Sequence, residues 1–549
     1  MTRTLQLVLC LSLLLSPRTA SAQSKENRNS AISRNLEIFN DIYKQLDLFY
    51  VDTLSADSVI GTGIRAMLRQ VDPFTEYYPE DDEELRQMAT GKYAGIGSAV
   101  RFSKKEDRVV ISEPYEGTPS QLAGVKAGDV ILSINGKDVK GMSTPKVSSM
   151  LRGEAGTTFV LKVLRGGKEM EFSITRQTIQ IPQVPYYGMV GDGVGYIYLS
   201  GFTEGACKEV TQALKDLKGQ GAKSLILDLR GNPGGAVNEA VDIVNLFVPK
   251  GRKVLYTKGK MAQTNRDYYA AYEPADTLIP LAVMVDGGSA SSSEIVSGSL
   301  QDMDRAVVIG TRTFGKGLVQ MVRETAYHGG FKVTTGRYYI PSGRCIQAWD
   351  YRHLNADGSA GTVPDSLTKV FLTAGGREVR DGGGIKPDVE VQPDSLPSLV
   401  YDLVSSDEFF DWCTKYANEH ASVAAPGEIK VTDEEYSDFV QYVQTSGFKY
   451  NRRSTEVLSL LRDVAKREGY LQGAEAEFAA LEAKFQTDIV SDMMRFRKDI
   501  EPYLTDEIAT RYYYQRGAVK QQLLTDDPCL AKALQILASQ SEYDKILGR

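Results

Sequence analysis

Four serines crowd one stretch of this 549-residue chain, Asp286-Gly-Gly-Ser-Ala-Ser-Ser-Ser-Glu294-Ile295. An apolar run, Leu278 to Val285, precedes them, and the pattern from Ser293 to Asp302 predicts a helix after them. The hydroxyls therefore stand where the first amides of a helix lack partners and where its positive end favours developing negative charge. That place suits a nucleophile. Capping is the plainer use of serine there, but one helix start does not need four serines. A serine nucleophile needs a base. The chain has three histidines, His328, His353 and His420, all after the cluster and none in a catalytic motif, and the serine context is not Gly-x-Ser-x-Gly. The next candidate is Lys316, framed by glycines in Thr313-Phe-Gly-Lys-Gly-Leu-Val-Gln320. Burial disfavours the charged form of a lysine and can turn it into a base.

A third piece is Leu227-Asp-Leu-Arg-Gly-Asn-Pro-Gly-Gly235, an apolar strand running into a glycine-rich turn. Such turns expose amides that can stabilise an oxyanion. A nucleotide phosphate loop is excluded because no Gly-Lys-Ser/Thr follows.

These pieces need elements to hold them. Residues 186 to 390 alternate strands (Gly195 to Leu199, Ser224 to Leu229, Leu278 to Val285) with helices (Thr203 to Leu217, Val237 to Phe247, Ser293 to Asp302). That alternation implies a mainly parallel sheet covered by helices. Residues 90 to 178 read as short strands bounded by glycines, with a tight turn at Asn135-Gly136, a short helix from Thr144 to Leu151 and a hairpin around Gly166-Gly167. Helices are predicted at Arg28 to Tyr50 and Asp57 to Gln70, and again from about residue 395. In that last region Thr432 and Glu435 form a capping-box pattern. Phe478, Leu481, Phe485, Ile489, Met493, Phe496 and Ile500 make one long apolar stripe, read as packing within a helical domain rather than a dimer seam.

The fold class expected is α/β and multi-domain. Its parts are a leader at 1–22, an N-terminal helical region at 28–89, a small β-rich domain at 90–178, a catalytic core at 186–394 and a helical region at 395–549; residues 60–80 are expected to pack on the core. Arg3, the apolar run Leu5 to Leu15 and Ala20-Ser21-Ala22 form an export signal, placing the protein in the periplasm of a two-membrane bacterium or outside the cell. No later segment is long and apolar enough to span a membrane. A net charge of −7 argues against nucleic acid as a partner. Cys207, Cys345, Cys413 and Cys529 are too few for a disulfide framework, and no Cys/His spacing suggests a metal site.

Together the motifs resemble the C-terminal processing peptidases, or tail-specific proteases, over residues 60 to 390. The matching stretches are Asp72-Pro-Phe-Thr-Glu-Tyr-Tyr78, Gly95-Ile-Gly97, Ile226 to Gly235, Gly288 to Ile295, Gly310 to Gln320, Tyr339 to Gln347 and Gly384-Ile-Lys-Pro-Asp388. The resemblance implies a ClpP/crotonase-like core and a serine endopeptidase without cofactor or metal. It implies Ser291 as nucleophile, Lys316 as base, Gln320 as orienter of the lysine, and the amides of Gly235 and Ser292 as the oxyanion hole. It also implies that residues 90–178 are a PDZ domain, whose Gly95, Ile96 and Gly97 hold the free C-terminal carboxylate of a protein or peptide substrate. Two rivals remain: a catalytically inert PDZ scaffold, and a crotonase-type enzyme acting on acyl-thioesters. The intact Ser291/Lys316/Gln320 set weighs against the first, the export signal and PDZ domain against the second. The sequence leaves a homo-oligomer open.

Overall fold

The computed structural model describes residues 16–79, 92–355, 357–393, 395–450, 452–485, 488–523 and 527–549. The expected leader falls largely on residues 1–15, outside the described residues. The chain divides between Tyr77 and Tyr78 into two compact units. In the first, helix α1 (Ser16–Phe49) leaves Ile32, Leu36, Phe39 and Ile42 exposed. Helix α2 (Ala56–Arg69) starts at Ser55, whose hydroxyl accepts the Ser58 amide. Beyond it the Asp72 carboxylate accepts the amides of Phe74 and Thr75, at 2.8 Å each, and so turns the chain at Asp72-Pro73.

The second unit begins with the β-rich domain. Strand β1 (Lys92–Gly95) pairs with β7 (Gln177–Gln180), joining the domain's entrance to its exit. A sheet in the order β2 (Ser98–Ser103), β3 (Arg108–Pro114), β4 (Val130–Ile134), β5 (Thr158–Arg165) and β6 (Lys168–Thr175) surrounds Val109, Ile111, Ile131, Leu161 and Val163. β2 is an edge strand beside helix α3 (Thr144–Leu151).

The central sheet runs β8 (Tyr186–Met189), β9 (Val194–Tyr198), β10 (Ser224–Asp228), β13 (Leu281–Val285), β14 (Val307–Gly310), β17 (Val389–Glu390). Only the β8–β9 pair is antiparallel. Both faces are covered, so β10 and β13 are buried at every residue, as the near-continuous apolar runs require. Helices α4 (Ala206–Gly219), α5 (Val237–Asn245) and α6 (Ser292–Asp302) cover one face. The other face, with Ile226, Ala282, Met284 and Ile309, is covered by the end of the chain: α14 (Pro528–Ala538) and α15 (Gln540–Ile546) bring Leu530, Ile536 and Tyr543. Each such buried side chain contributes about 1.5–3 kcal/mol.

An antiparallel sheet that the sequence reading did not foresee joins β15 (Leu318–Glu324), β16 (Gly330–Tyr339), β11 (Lys253–Gly259) and β12 (Arg266–Tyr269). Helices α7 (Ser398–Val404), α8 (Glu408–Glu419) and α9 (Asp433–Ser446) build a separate apolar core around Trp412, Tyr436 and Phe439, and the Thr432–Glu435 capping box forms. α10 (Arg453–Glu468) follows. The long stripe is not one helix. It is divided among α11 (Glu475–Phe485), α12 (Ile489–Arg495) and α13 (Arg497–Leu523), so Met493 and Ile500 are buried while Leu481 is exposed. α13 itself breaks at Tyr514, and the freed Gln515 amide donates to Glu113 of β3 at 2.9 Å. Arg101 of β2 pairs with Asp407 and lies over the Phe410 ring of α8, fastening the β-rich domain to the helical region. Cys207, Cys345, Cys413 and Cys529 are free thiols. No described helix is long and apolar enough to cross a membrane.

Candidate active site

Three loops meet beyond the C-terminal ends of the parallel strands, where open α/β sheets place their sites. They follow β10, β13 and β14 and carry, in turn, Gly235, Ser291 and Lys316. Ser291 sits at φ 53°, ψ −109°, a left-handed backbone that costs a non-glycine residue roughly 1–3 kcal/mol and persists only when its surroundings dictate it. They do. The Ser291 amide donates to Glu294 Oε2 (2.9 Å), the preceding Ala290 amide donates to Asn232 O (3.0 Å), and Tyr338 donates its hydroxyl to Ser291 O (3.2 Å).

The other three serines of the cluster have structural work. Ser289 Oγ donates to Leu229 O at 2.8 Å, Ser292 Oγ to Gly235 O at 2.9 Å and Ser293 Oγ to Asn232 O at 2.8 Å. They staple the serine turn to the glycine-rich loop. Gly234, at φ 98°, lies so close that a Cβ there would meet Ala290 O at 2.7 Å and Ser291 Cβ at 2.9 Å. Among the described residues the Ser291 hydroxyl donates to no carbonyl, and no acceptor meets the amides of Gly235 or Ser292. A hydroxyl whose proton goes to no carbonyl, on the same turn as an amide that meets no acceptor among the described residues, is an arrangement that acyl transfer can use.

Glu294 is the residue the sequence reading missed. It is fully buried, and its carboxylate accepts four donors: Thr313 Oγ1 (2.6 Å) and the amides of Gly315 (2.7 Å), Lys316 (2.9 Å) and Ser291 (2.9 Å). One oxygen, Oε2, thus holds the backbones of both Ser291 and Lys316. Buried Tyr338 repeats the link on the carbonyl side, donating to Ser291 O and to Lys316 O (2.8 Å). Burial pushes the Glu294 carboxyl up to about 7, against the pull of its hydrogen bonds. The visible signal was the Ser-x-x-Glu spacing from Ser291, a capping-box pattern. Tyr338 left no local signal beyond strand alternation.

Gln320 lies on β15, where its side-chain amide donates to Thr334 Oγ1 of β16 at 3.1 Å. In the β-rich domain, Gly97 O accepts the Tyr115 amide and the hydroxyls of Thr118 and Ser120, which fixes the Gly95-Ile96-Gly97 turn against its neighbours. Gly97 has φ +73°, and a Cβ there would lie 2.4 Å from Thr118. The guanidinium of Arg152 stands 5.2 Å from the Tyr93 ring beside this turn, a cation the sequence reading did not connect with it. Among the described residues no group of three or more His, Cys, Asp or Glu is arranged to hold a metal ion.

The Peptidase family S41 profile matches residues 193–366, a PDZ domain profile matches 110–165, and the profile described as "Probable PDZ-protease, C-terminal helical domain" matches 399–537. A carboxy-terminal-processing protease of Bartonella bacilliformis is 33% identical over 346 residues, covering 62% of this chain and 78% of that protein. The carboxyl-terminal-processing protease of Synechocystis sp. is 38% identical over 287 residues, covering 51% of this chain and 66% of the relative. Among solved structures, a photosystem II D1 C-terminal processing protease is 27% identical with a TM-score of 0.36, covering 65% of this chain and 87% of that one.

Proposed function

The chain belongs to the carboxy-terminal-processing proteases, serine-type peptidases with an S41 core and a PDZ domain, and from that footing we propose that it is an exported endopeptidase that cuts protein substrates near their free C-termini with a Ser291–Lys316 dyad. Ser291 Oγ attacks the scissile carbonyl while its proton passes to Lys316 Nζ. The resulting oxyanion is met by the amides of Gly235 and Ser292. Collapse breaks the C–N bond, Lys316 returns the proton to the leaving amine, and an acyl ester remains on Ser291. Water, deprotonated by Lys316, then releases the acid. The substrate's tail lies along the free edge of β2, its carboxylate at Gly95-Ile96-Gly97.

One observation carries this reading. Of the four clustered hydroxyls, Ser291's is the one that donates to no loop carbonyl, and its amide shares a carboxylate oxygen with that of Lys316. The test compares the full-length protein with Ser291→Ala on unfolded casein and on peptides ending in a free acid or an amide. Wild type should favour the free acid. Ser291→Ala should lose at least about 10³-fold in rate, as removal of a nucleophile does; retention of a tenth of the activity would overturn the assignment.

A further inference from the structure

The glycine-rich loop that carries Gly235 is gripped from both sides at its first residue, Arg230. From the core, Asp228 takes the guanidinium through Nε at 3.0 Å and NH2 at 2.7 Å. Asp228 is itself buried, accepts the Tyr196 hydroxyl at 2.7 Å and accepts the Arg230 amide at 2.9 Å. From the far end of the chain, Asp527 Oδ2 meets the same NH2 at 2.9 Å. Asp527 does not reach over from a loose tail. Its Oδ1 caps α14 by accepting the amides of Cys529 and Leu530 at 3.0 Å each, and α14 is packed into the catalytic sheet through Leu530, Ala533 and Ile536.

A cavity of about 440 Å³ opens beside this ion pair, lined by Arg230, Asp228, Asp527, Asp286, Tyr198 and Gln522 among others. Asp286 is the competitor within it. Its Oδ1 accepts the amides of Gly231 at 2.9 Å, Gly288 at 2.9 Å and Ser289 at 3.0 Å, and so ties the glycine-rich loop to the serine turn. An arginine released on one side has room to turn toward Asp286 and to compete with those three amides. The glycine-rich loop, which meets the serine turn at Gly234 and Gly235, would then shift against it and carry the Gly235 amide along.

We propose that Asp527 is a positioning residue for the oxyanion loop: the C-terminal helical region, by holding Arg230 away from Asp286, completes the catalytic centre. The inference rests on the dyad reading given above. It assigns to the end of the chain a part in the reaction itself, not only in covering the sheet.

The test is Asp527→Asn in the full-length protein. Asparagine caps a helix as well as aspartate does, so α14 keeps its cap while Arg230 loses its second anion. kcat should fall about 10- to 100-fold, the scale of a small misplacement of catalytic groups, with KM within about twofold. Affinity for a peptide boronic acid, which forms a tetrahedral adduct at the nucleophile, should fall by the same factor as kcat/KM. Asp527→Glu should recover part of the loss. A wild-type kcat for Asp527→Asn beside an inactive Ser291→Ala overturns this proposal and leaves the dyad standing. An equal fall in kcat and in substrate affinity, or a fall matched by Asp527→Glu, also overturns it, since either would mark general loosening. An active Ser291→Ala overturns both readings.

Discussion

The proposed function gives two glycine-framed turns of this protein the same task, presenting backbone amides to a negative oxygen, and they are built by opposite means. The turn at Ser291 is anchored by two carboxylates, the buried Glu294 and the half-buried Asp286, and by three hydroxyl staples. The turn at Gly97 is held by neutral hydroxyls of Thr118 and Ser120, next to an edge strand that stays open. A transition-state charge must be met without reorganisation, which demands a rigid, dry setting. A peptide terminus must enter and leave, which demands access. Damage should therefore appear in kcat at the first turn and in KM at the second.

The sharpest attack on that contrast is Lys316. Lys316→Ala and Lys316→Arg should both be inactive in a peptide assay, since a guanidinium does not surrender its proton. An Lys316→Arg protein with substantial activity would mean that the base lies elsewhere.

Glu294 comes next. Glu294→Gln must leave at least one of four donors poorly met, costing about 1–3 kcal/mol of stability per orphaned group and much of kcat. Its pH signature follows from its carboxyl, raised to about 7 from an ordinary value of 4.5. Between those values the folded state holds the proton more tightly than the unfolded one, so stability should fall as pH rises across that window. Activity should instead rise toward pH 7 and above, because the four donors need the anion. In Glu294→Gln the stability slope should flatten, which thermal melts at a series of pH values will read. An unchanged slope would remove Glu294 as its source.

Gly97→Ala probes the other turn. The added Cβ would meet Thr118 at 2.4 Å in a backbone glycine prefers, so the loop should deform. KM for free-acid peptides should rise about tenfold with little change in kcat, and the preference over amidated peptides should shrink. A preference intact in Gly97→Ala would show that the carboxylate is read elsewhere. The smallest effect is expected at Gln320. Its amide is engaged with Thr334, so Gln320→Ala should lower kcat by less than about tenfold, by loosening β15 against β16 next to Lys316.

How much of this was legible in the sequence depends on the distance over which each contact acts. The strands Ser224–Asp228 and Leu281–Val285 and the helix Ser292–Asp302 follow from apolar runs and a cluster of small residues, because a strand buried on both faces must be apolar throughout. The serine cluster and Lys316 were visible as candidates for the same local reason, each sitting in a short contiguous motif, while the choice of Ser291 among four serines came from the family resemblance. Half of Glu294's role was visible as a capping pattern with Ser291; its grip on Gly315 and Lys316 depends on β13 and β14 lying side by side. The apolar stripe from Phe478 to Ile500 marked packing within a helical region, but not where its helices end, because periodicity continues in phase across breaks that tertiary packing imposes.

By itself, then, the sequence determined the groups on which the proposed chemistry rests, a hydroxyl, an amine and two glycine-rich turns at the ends of buried strands, since residue type and local spacing are enough to specify groups and the elements that bear them. Only the tertiary structure decided which of the four serine hydroxyls donates to no loop carbonyl, which carboxylate holds the backbones of Ser291 and Lys316 together, and that the last helices of the chain lie on the central sheet with Asp527 at Arg230. Those are matters of which surfaces meet across long stretches of chain. A hydrogen bond or an ion pair acts over a few ångströms of space, whatever the separation of its partners in sequence.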